Sequence, residues 1–316
     1  MAFRTQTVSP AVAKFRLFLA LSRSVHGSLD MAAPFVGALL WLGGLPSLRV
    51  GLIGAGTIFA GYTAVYALND LLGRGLDRDK LRLQFGEDRE DPAYLDAVFM
   101  RHPLAQGALA FGESLAWTLF WALCAVIGAW ILNPVCVAVF LGASLLEALY
   151  CRLFKVTPLR TLVNGAVKTA GPLAGVLAVD PSPSPAFLGL LLGSFLLWEV
   201  GGQNIPADWS DLETDRSLAA RTIPVVYGKE AAAKISLISL GGAVLASPFL
   251  FALSPLATPW WILLAVAGLG CLQLLVPVIR LVLSLHQYDA MHLFNRASLW
   301  PPSLLLVILL GILAQV

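Results

Sequence analysis

Long apolar stretches alternate with short polar connections along almost the whole chain. A transmembrane helix needs roughly 20 mostly apolar residues, and runs of that length recur along the chain. The pattern therefore predicts an all-α polytopic membrane protein. Its nine predicted transmembrane helices lie at about 22–42, 50–68, 105–132, 135–150, 162–179, 186–205, 231–253, 260–282 and 299–314.

The composition agrees with that class. Of 316 residues, 58% are hydrophobic and only 13% are charged, which is too apolar for the surface of a soluble protein. The 21 Lys and Arg residues nearly balance the 19 Asp and Glu residues, so the formal net charge is only +2. That charge is too small to predict a nucleic-acid partner, and the expected surroundings are membrane lipid.

The positive charges predict how the chain is oriented. All Lys and Arg residues except Arg49 and Lys168 fall in the N-terminal arm or near the connections after the even-numbered helices. The positive-inside rule places that side in the cytoplasm. The N-terminus is then cytoplasmic, and after nine spans the C-terminus lies on the opposite side. The segment 70–103 is a long cytoplasmic connection, and loops of that length are usually functional.

Two acidic runs repeat at a constant offset of 138 residues, each where a long apolar helix reaches the cytoplasmic side. The equivalent positions are Asp70 and Asp208, Asp77 and Asp215, and Arg78 and Arg216. The repeat predicts two related halves, at about 22–160 and 161–316, within a single domain of 1–316.

The second run predicts a cation site. At 100° per residue, Asp208, Asp211 and Asp215 fall within about 60° of one another on a helix, and Asn204 joins the same stripe. Carboxylates this close repel one another unless a cation neutralises them, and Mg²⁺ prefers such oxygen ligands. The alternative is that these residues are solvated helix ends.

These residues resemble the UbiA superfamily of intramembrane prenyltransferases. Its pattern is N-D-x-x-D-x-x-x-D after the second helix and D-x-x-D-x-x-x-D after the sixth. The second run matches completely, and the first matches at Asn69, Asp70 and Asp77. Gly73 stands where the family usually has its middle Asp, a departure for which Asp79 is a candidate substitute.

Three further segments carry the resemblance. They are R-T-I-P at 221–224 followed by Tyr227-Gly228, Tyr150 with Lys155, and L-F-N at 293–295. The resemblance implies nine helices around a central cavity, with cytoplasmic cap loops. It also implies transfer of an isoprenoid chain from a prenyl diphosphate to a hydrophobic acceptor, with two Mg²⁺ ions bound alongside the diphosphate.

The acceptor stays open at this point. An aromatic ring, as in quinone synthesis, is the commonest outcome in the family, and relatives also use glycerophosphate or sugar-phosphate acceptors. An intramembrane terpene cyclase is a second enzymatic alternative. A transporter is less favoured, because transporter sites gather near the membrane midplane and these carboxylates lie at helix ends.

The expected site divides into three groups. The residues expected to act in catalysis by binding the metal and the diphosphate are Asn69, Asp70, Asp77, Asp208, Asp211 and Asp215. Arg74 and Lys155 are the expected phosphate contacts, while Arg78 and Arg216 either bind phosphate or pair with the neighbouring carboxylates. The candidate acceptor or cavity residues are Tyr150, Lys168, Glu199 and Asn204.

Some charged residues have a structural alternative. Lys168 either lies near the substrates or forms a buried pair with Glu147, Glu199 or another carboxylate, and Glu199 is a candidate base. The four histidines show no metal-ligand spacing and are expected in loops or at interfaces.

Overall fold

The computed structural model describes residues 9–84 and 99–315, and these ranges contain helices and turns but no strand. Nine helices within them are long and apolar enough to cross a membrane, which confirms the predicted fold class. In chain order these spans, called first to ninth below, are Ser24–Leu42, Leu48–Leu83, Phe111–Leu132, Pro134–Lys155, Arg160–Val179, Pro185–Ser210, Ile223–Ala252, Trp260–Ser284 and Gln287–Leu313. A further helix, Pro10–Leu21, precedes the first span.

The second span continues far beyond its predicted end at residue 68. One helix of 37 residues covers Leu48–Gln84, so the first acidic run is helical instead of a loop. At 1.5 Å per residue, Asp70 lies about 33 Å along the axis from Leu48, where a hydrocarbon core of about 30 Å ends. The helix can therefore carry charged residues from that point on. Arg4, Arg89 and residues 85–98 of the predicted long connection lie outside the described residues.

The sixth span changes helix type before it reaches the second acidic run. An α-helix, Pro185–Trp198, is followed by a π-helical segment, Glu199–Asn204, and by the helix Ile205–Ser210. A Cβ atom on Gly201 would lie 2.8 Å from the Ser236 carbonyl oxygen, so this segment packs closely against the seventh span. Such π segments are frequent at functional sites because they redirect side chains.

The largest hydrophobic core joins the first span to the sixth, seventh, eighth and ninth spans. Trp198, Trp209 and Trp300 are among its largest fully buried side chains. The Trp198 indole N–H donates to the Ala297 carbonyl oxygen at 2.9 Å, which fixes the sixth span against the ninth. This densely packed region forms a solid support on one side of the molecule.

An elongated cavity of about 240 Å³ lies beside that core and is lined mainly by the second to sixth spans. Its lining extends from Asn69 and Asn204, near the acidic runs, to Leu132 and Ala178, near the other ends of their spans. Between them the wall is mostly small and apolar, including Gly61, Ala125, Ala129, Gly171 and Ala174. Small side chains leave room for a long apolar molecule.

Candidate active site

Lys80 connects the two acidic runs. It extends from the second-span helix, and its ammonium nitrogen lies 2.8 Å from Asp211 Oδ2 and 2.8 Å from Asp215 Oδ1. Arg101, from the connection before the third span, lies 3.5 Å from the same Asp211 oxygen. Runs that are more than 130 residues apart in sequence therefore meet at one end of the bundle, called the acidic end below.

The second acidic run is not one continuous helix, contrary to the expected stripe. Its helix ends at Ser210 and a new helix, Leu212–Ser217, begins after Asp211, whose φ and ψ are −100° and 12°. The break separates the partners of the carboxylates: Asp211 contacts Lys80, while Asp208 Oδ1 lies 3.7 Å from the Arg160 guanidinium.

The carboxylates at the acidic end differ in pKa. Burial raises the pKa of Asp211, but the charges of Lys80 and Arg101 outweigh this and hold that pKa below its ordinary value of 3.8. Burial raises the pKa of Asp215 to about 6; the Lys80 ammonium opposes the rise, and Asp208 adds to it. Asp211 is therefore held ionised by its cations, whereas Asp215 takes up a proton more readily.

The start of the first acidic run is held by two residues from other spans or connections, Arg23 and Glu147. Asn69 Oδ1 accepts a hydrogen bond from Arg23 at 3.3 Å, and Asn69 Nδ2 donates to Glu147 Oε1 at 2.5 Å. Arg23 also lies 3.6 Å from Asp70, whose side chain is 2% exposed. Asn69 lines the cavity, so this run begins where the cavity meets the acidic end.

His102 lies between the two carboxylates of the first run. Its Nδ1 atom is 3.3 Å from Asp70 Oδ1 and 3.2 Å from Asp77 Oδ2. Burial opposes protonation of the ring, but the charge of Asp77 and hydrogen bonds to both carboxylates raise the pKa of His102 above 6.5. The sequence predicted a loop or interface role for this histidine, because His102 lies 25 and 32 positions after the two carboxylates and the contact shows no local spacing.

Arg160 is a second residue that sequence reasoning missed. It is 5% exposed, donates to the Tyr150 hydroxyl, and its guanidinium carbon lies 4.2 Å from the centroid of that ring. Asn204 Nδ2 donates to the same hydroxyl at 3.1 Å. Arg160 Nε and Nη1, Asp208 Oδ2 and Asn204 Oδ1 are buried without a hydrogen-bond partner among the described residues.

None of the four cations considered as phosphate contacts forms an ion pair with Asp70, Asp77, Asp208, Asp211 or Asp215 among the described residues. Arg74 stacks over the Phe111 ring at 5.9 Å, and Arg216 pairs with the exposed glutamate three residues before it at 3.0 Å. Arg78 and Lys155 are exposed and form no ion pair with a described residue. The candidate substitute Asp79 is also exposed and lies 4.0 Å from Arg82, so it does not join the first acidic run.

Glu199 and Lys168 are ionisable residues in the wall of the cavity. Glu199, which is 2% exposed, accepts a hydrogen bond from Asn164 at 2.6 Å through Oε1, while Oε2 has no partner among the described residues. Lys168 forms a buried ion pair with Asp30 and donates to the Tyr66 hydroxyl at 2.5 Å. Lys168 therefore forms a buried pair with a carboxylate, which was its structural alternative, and the partner is Asp30.

The sequence model of the UbiA prenyltransferase family matches residues 31–300, which is most of the chain. The chain belongs to the UbiA prenyltransferase family. It is therefore an intramembrane enzyme that transfers prenyl groups, as the motifs predicted. A cavity beside a charged end suits this reaction, in which an apolar prenyl chain is separated from a charged leaving group.

Individual relatives agree with this assignment. The chain is 25% identical over 235 residues to a digeranylgeranylglyceryl phosphate synthase of Thermococcus sibiricus, covering 74% of this chain and 76% of the relative. The fold of this chain matches that of a UbiA homologue of Aeropyrum pernix with a TM-score of 0.68 at 20% identity, over 92% of this chain and 98% of the other. A UbiA homologue of Archaeoglobus fulgidus bound to DMAPP and Mg²⁺ matches with a TM-score of 0.63 at 18% identity, over 92% and 98%.

Lys80→Met tests whether the ion pairs between the runs stabilise the protein. Removing one partner of a buried ion pair lowers the free energy of unfolding by about 3 to 5 kcal/mol. Lys14→Met is the matched control, because Lys14 pairs with Glu113 at 2.6 Å but both side chains are largely exposed. In metal-free detergent solution we expect a marked fall of Tm for Lys80→Met and little change for the control. Equal shifts would contradict the role of Lys80.

Proposed function

We propose that the protein transfers an isoprenoid chain from a prenyl diphosphate to a hydrophobic acceptor in a Mg²⁺-dependent reaction. In this proposal the diphosphate lies between the two acidic runs, and the isoprenoid chain lies in the cavity. The observation that carries this proposal is the group of unsatisfied buried atoms on Arg160, Asp208 and Asn204. Buried polar groups are nearly always hydrogen-bonded in folded proteins, so these atoms mark the place of a polar ligand.

The residues at the acidic end fit divalent cations. Asp70, Asp77 and His102 each offer one ligand atom, and these atoms lie within 4.8 Å of one another. The second run adds Asp208, whose Oδ2 atom is buried and unpartnered, together with Asp211 and Asp215. Mg²⁺ is usually bound by one or two protein carboxylates together with substrate phosphates. Bound Mg²⁺ ions would neutralise charge on the leaving diphosphate.

The chain's own cations complete the binding of the diphosphate. Arg160 is held by Tyr150 and Asp208, so its two unpartnered N–H groups are oriented to donate to phosphate oxygens. As the allylic carbon–oxygen bond breaks, its electron pair leaves with the diphosphate. Donors that are already fixed in place stabilise the charge that develops there. Arg160 is therefore a proposed phosphate contact, and Lys155 stays a predicted one.

The cavity protects the allylic cation and receives the acceptor. Its mostly small and apolar wall excludes water, and the rings of Tyr62, Tyr66 and Phe140 offer electron-rich faces to a cation. The acceptor forms its new bond to the allylic carbon and gives up a proton. Glu199 Oε2, buried and unpartnered, is the proposed proton acceptor, and Asn164 holds the other oxygen of that carboxylate.

The acceptor we favour carries a hydroxyl group beside a phosphate, as in a glycerophosphate. The relative from Thermococcus sibiricus is named for the synthesis of a glyceryl phosphate product. A solved structure of a digeranylgeranylglyceryl phosphate synthase also matches the fold, with a TM-score of 0.67 at 18% identity, over 96% of this chain and 99% of the other. A hydroxyl nucleophile also needs a base, which Glu199 supplies.

An aromatic acceptor is the second candidate. The cavity lining contains several rings, and His26 stacks on Phe294 with centroids 5.1 Å apart. A flat acceptor such as a hydroxybenzoate would pack against such faces.

The orientation in the membrane stays a prediction. The positive-inside rule puts the acidic end and the N-terminus in the cytoplasm and the C-terminus on the opposite side. Water-soluble diphosphates and Mg²⁺ are then available at the acidic end. The single domain of 1–316 in two halves is likewise a prediction.

Asp208→Asn tests the proposed diphosphate site. We expect release of diphosphate from geranyl and geranylgeranyl diphosphates with Mg²⁺ to fall by about 100-fold or more, the scale of single contacts to transition-state charge. Glu213→Gln is the control, because Glu213 belongs to the same segment but its side chain is 78% exposed. Unchanged release in Asp208→Asn would contradict the site.

The same assay separates the alternatives when a prenylglyceryl phosphate and a hydroxybenzoate are supplied in turn and products are identified by mass spectrometry. A prenyl ether supports the glycerophosphate acceptor, and a prenylated ring supports the aromatic one. Diphosphate release without any acceptor, together with a cyclic hydrocarbon, would replace the transferase proposal with a cyclase.

Glu199→Gln tests the proposed base. Glutamine keeps an oxygen for Asn164 but accepts no proton, so we expect product formation to fall by about 100-fold or more. Binding of the prenyl diphosphate, measured by calorimetry, should stay within about threefold because Glu199 is not part of the diphosphate site. A parallel loss of binding and turnover would instead assign Glu199 a structural role.

A further inference from the structure

The first acidic run lacks one carboxylate at a position that faces the cluster. A Cβ atom built on Gly73 would lie 2.9 Å from Asp77 Oδ2, so a side chain there would enter the space beside Asp77. The second run has three carboxylates and the first has two, Asp70 and Asp77. The first run is therefore one oxygen ligand short on the side where Gly73 lies.

His102 is placed to supply the missing ligand. Its Nδ1 atom lies 3.3 Å from Asp70 Oδ1 and 3.2 Å from Asp77 Oδ2, and 11% of its side chain is exposed. Ligand atoms about 2.1 Å from an ion and at right angles to one another lie about 3 Å apart. His102 Nδ1 therefore lies from each of these two oxygens at about the spacing of neighbouring ligands in an octahedral site.

The backbone around His102 holds the imidazole in this position. Its φ of 50° is left-handed, a conformation that histidine adopts more readily than bulky residues do. The Gln106 N–H donates to the His102 carbonyl oxygen at 3.1 Å, and Gln106 Nε2 donates to the Arg101 carbonyl oxygen at 2.6 Å. Arg101 contacts Asp211 of the second run, so one short segment contacts both acidic runs.

We propose that His102 Nδ1 is the third protein ligand of the divalent cation at the first acidic run, in place of the carboxylate absent at Gly73. This inference rests on the proposed function, because it assumes that Asp70 and Asp77 hold a cation. A nitrogen ligand suits Mn²⁺ and Co²⁺ better than Mg²⁺, which prefers oxygen. The first site therefore accepts softer ions than an all-carboxylate site does.

The alternative role for His102 is electrostatic. An imidazolium ring hydrogen-bonded to both carboxylates would neutralise Asp70 and Asp77 without touching an ion. The two roles differ in one observable: only a ligand places its nitrogen within bonding distance of the metal.

The test uses the full-length protein in detergent with Mn²⁺ and inorganic diphosphate, examined by pulsed electron paramagnetic resonance. Histidine ligation produces a directly bonded ¹⁴N coupling to Mn²⁺. We expect this coupling in the wild type and in His286→Asn, an exposed histidine outside both acidic runs. We expect it to disappear in His102→Asn, which keeps a residue that tolerates left-handed backbone.

The outcomes separate this inference from the proposed function. Bound Mn²⁺ with normal diphosphate release but no ¹⁴N coupling in the wild type would overturn the ligand role and leave the proposed function standing. Absence of both Mn²⁺ binding and diphosphate release would overturn both. Coupling that persists in His102→Asn would also overturn the assignment, because another nitrogen would then be the ligand.

A second variant distinguishes loss of the metal ligand from loss of the folded structure. His102→Asn alone should weaken Mn²⁺ binding by at least about 10-fold, with Tm little changed. Adding Gly73→Asp to His102→Asn should restore Mg²⁺ binding to within about threefold of the wild type and shift the preference from Mn²⁺ towards Mg²⁺. The Asp77 carboxylate rotates aside to admit the new side chain. Failure of Gly73→Asp to restore binding in a folded protein would contradict the exchange of ligands.

Discussion

The constraint on which this structure depends is the concentration of carboxylates at the end of an apolar helix bundle. Like charges at such a site repel one another strongly, because little water is available to screen them. Lys80 bridges Asp211 and Asp215, and Arg160 lies beside Asp208. These contacts hold the two acidic runs together and still leave polar atoms unsatisfied. The site is therefore folded but prepared for a charged ligand.

The rest of the fold separates that charged end from an apolar interior. The tryptophan-rich core of the sixth to ninth spans forms a rigid support, and the cavity lies among the second to sixth spans. The π-helical segment at 199–204 links the two regions, because it carries Glu199 in the cavity wall and ends just before Asp208. A substrate with a charged head and an apolar tail matches this arrangement, which is the physical reason why prenyl transfer suits the fold.

Much of this organisation follows from the sequence. The lengths of the apolar stretches predict nine spans, because the thickness of a membrane sets the length of a helix that crosses it. The repeated acidic runs predict the residues that meet at the acidic end, because equivalent positions in two related halves share an environment. The lining of the cavity includes the candidate acceptor or cavity residues Tyr150, Lys168, Glu199 and Asn204.

The remaining residues depend on contacts that a single sequence does not display. Lys80 and Arg160 are cations among many near the acidic runs, and only the path of the chain distinguishes them from the exposed Arg78 and Lys155. His102 reaches the first run through a left-handed turn that no periodicity predicts. Element ends also shift, because a helix such as Leu48–Gln84 continues outside the membrane once its charges are paired or solvated.

The most direct measurement of whether the two runs form one site is a double-mutant cycle. Asp70→Asn, Asp208→Asn and the double variant would be compared with the wild type by calorimetric binding of unreactive geranyl thiolodiphosphate in Mg²⁺. Residues that act on one ligand are coupled, so the double variant should bind only slightly more weakly than the weaker single variant. Losses of affinity that multiply independently, or no loss in either single variant, would contradict a diphosphate site shared by the two acidic runs.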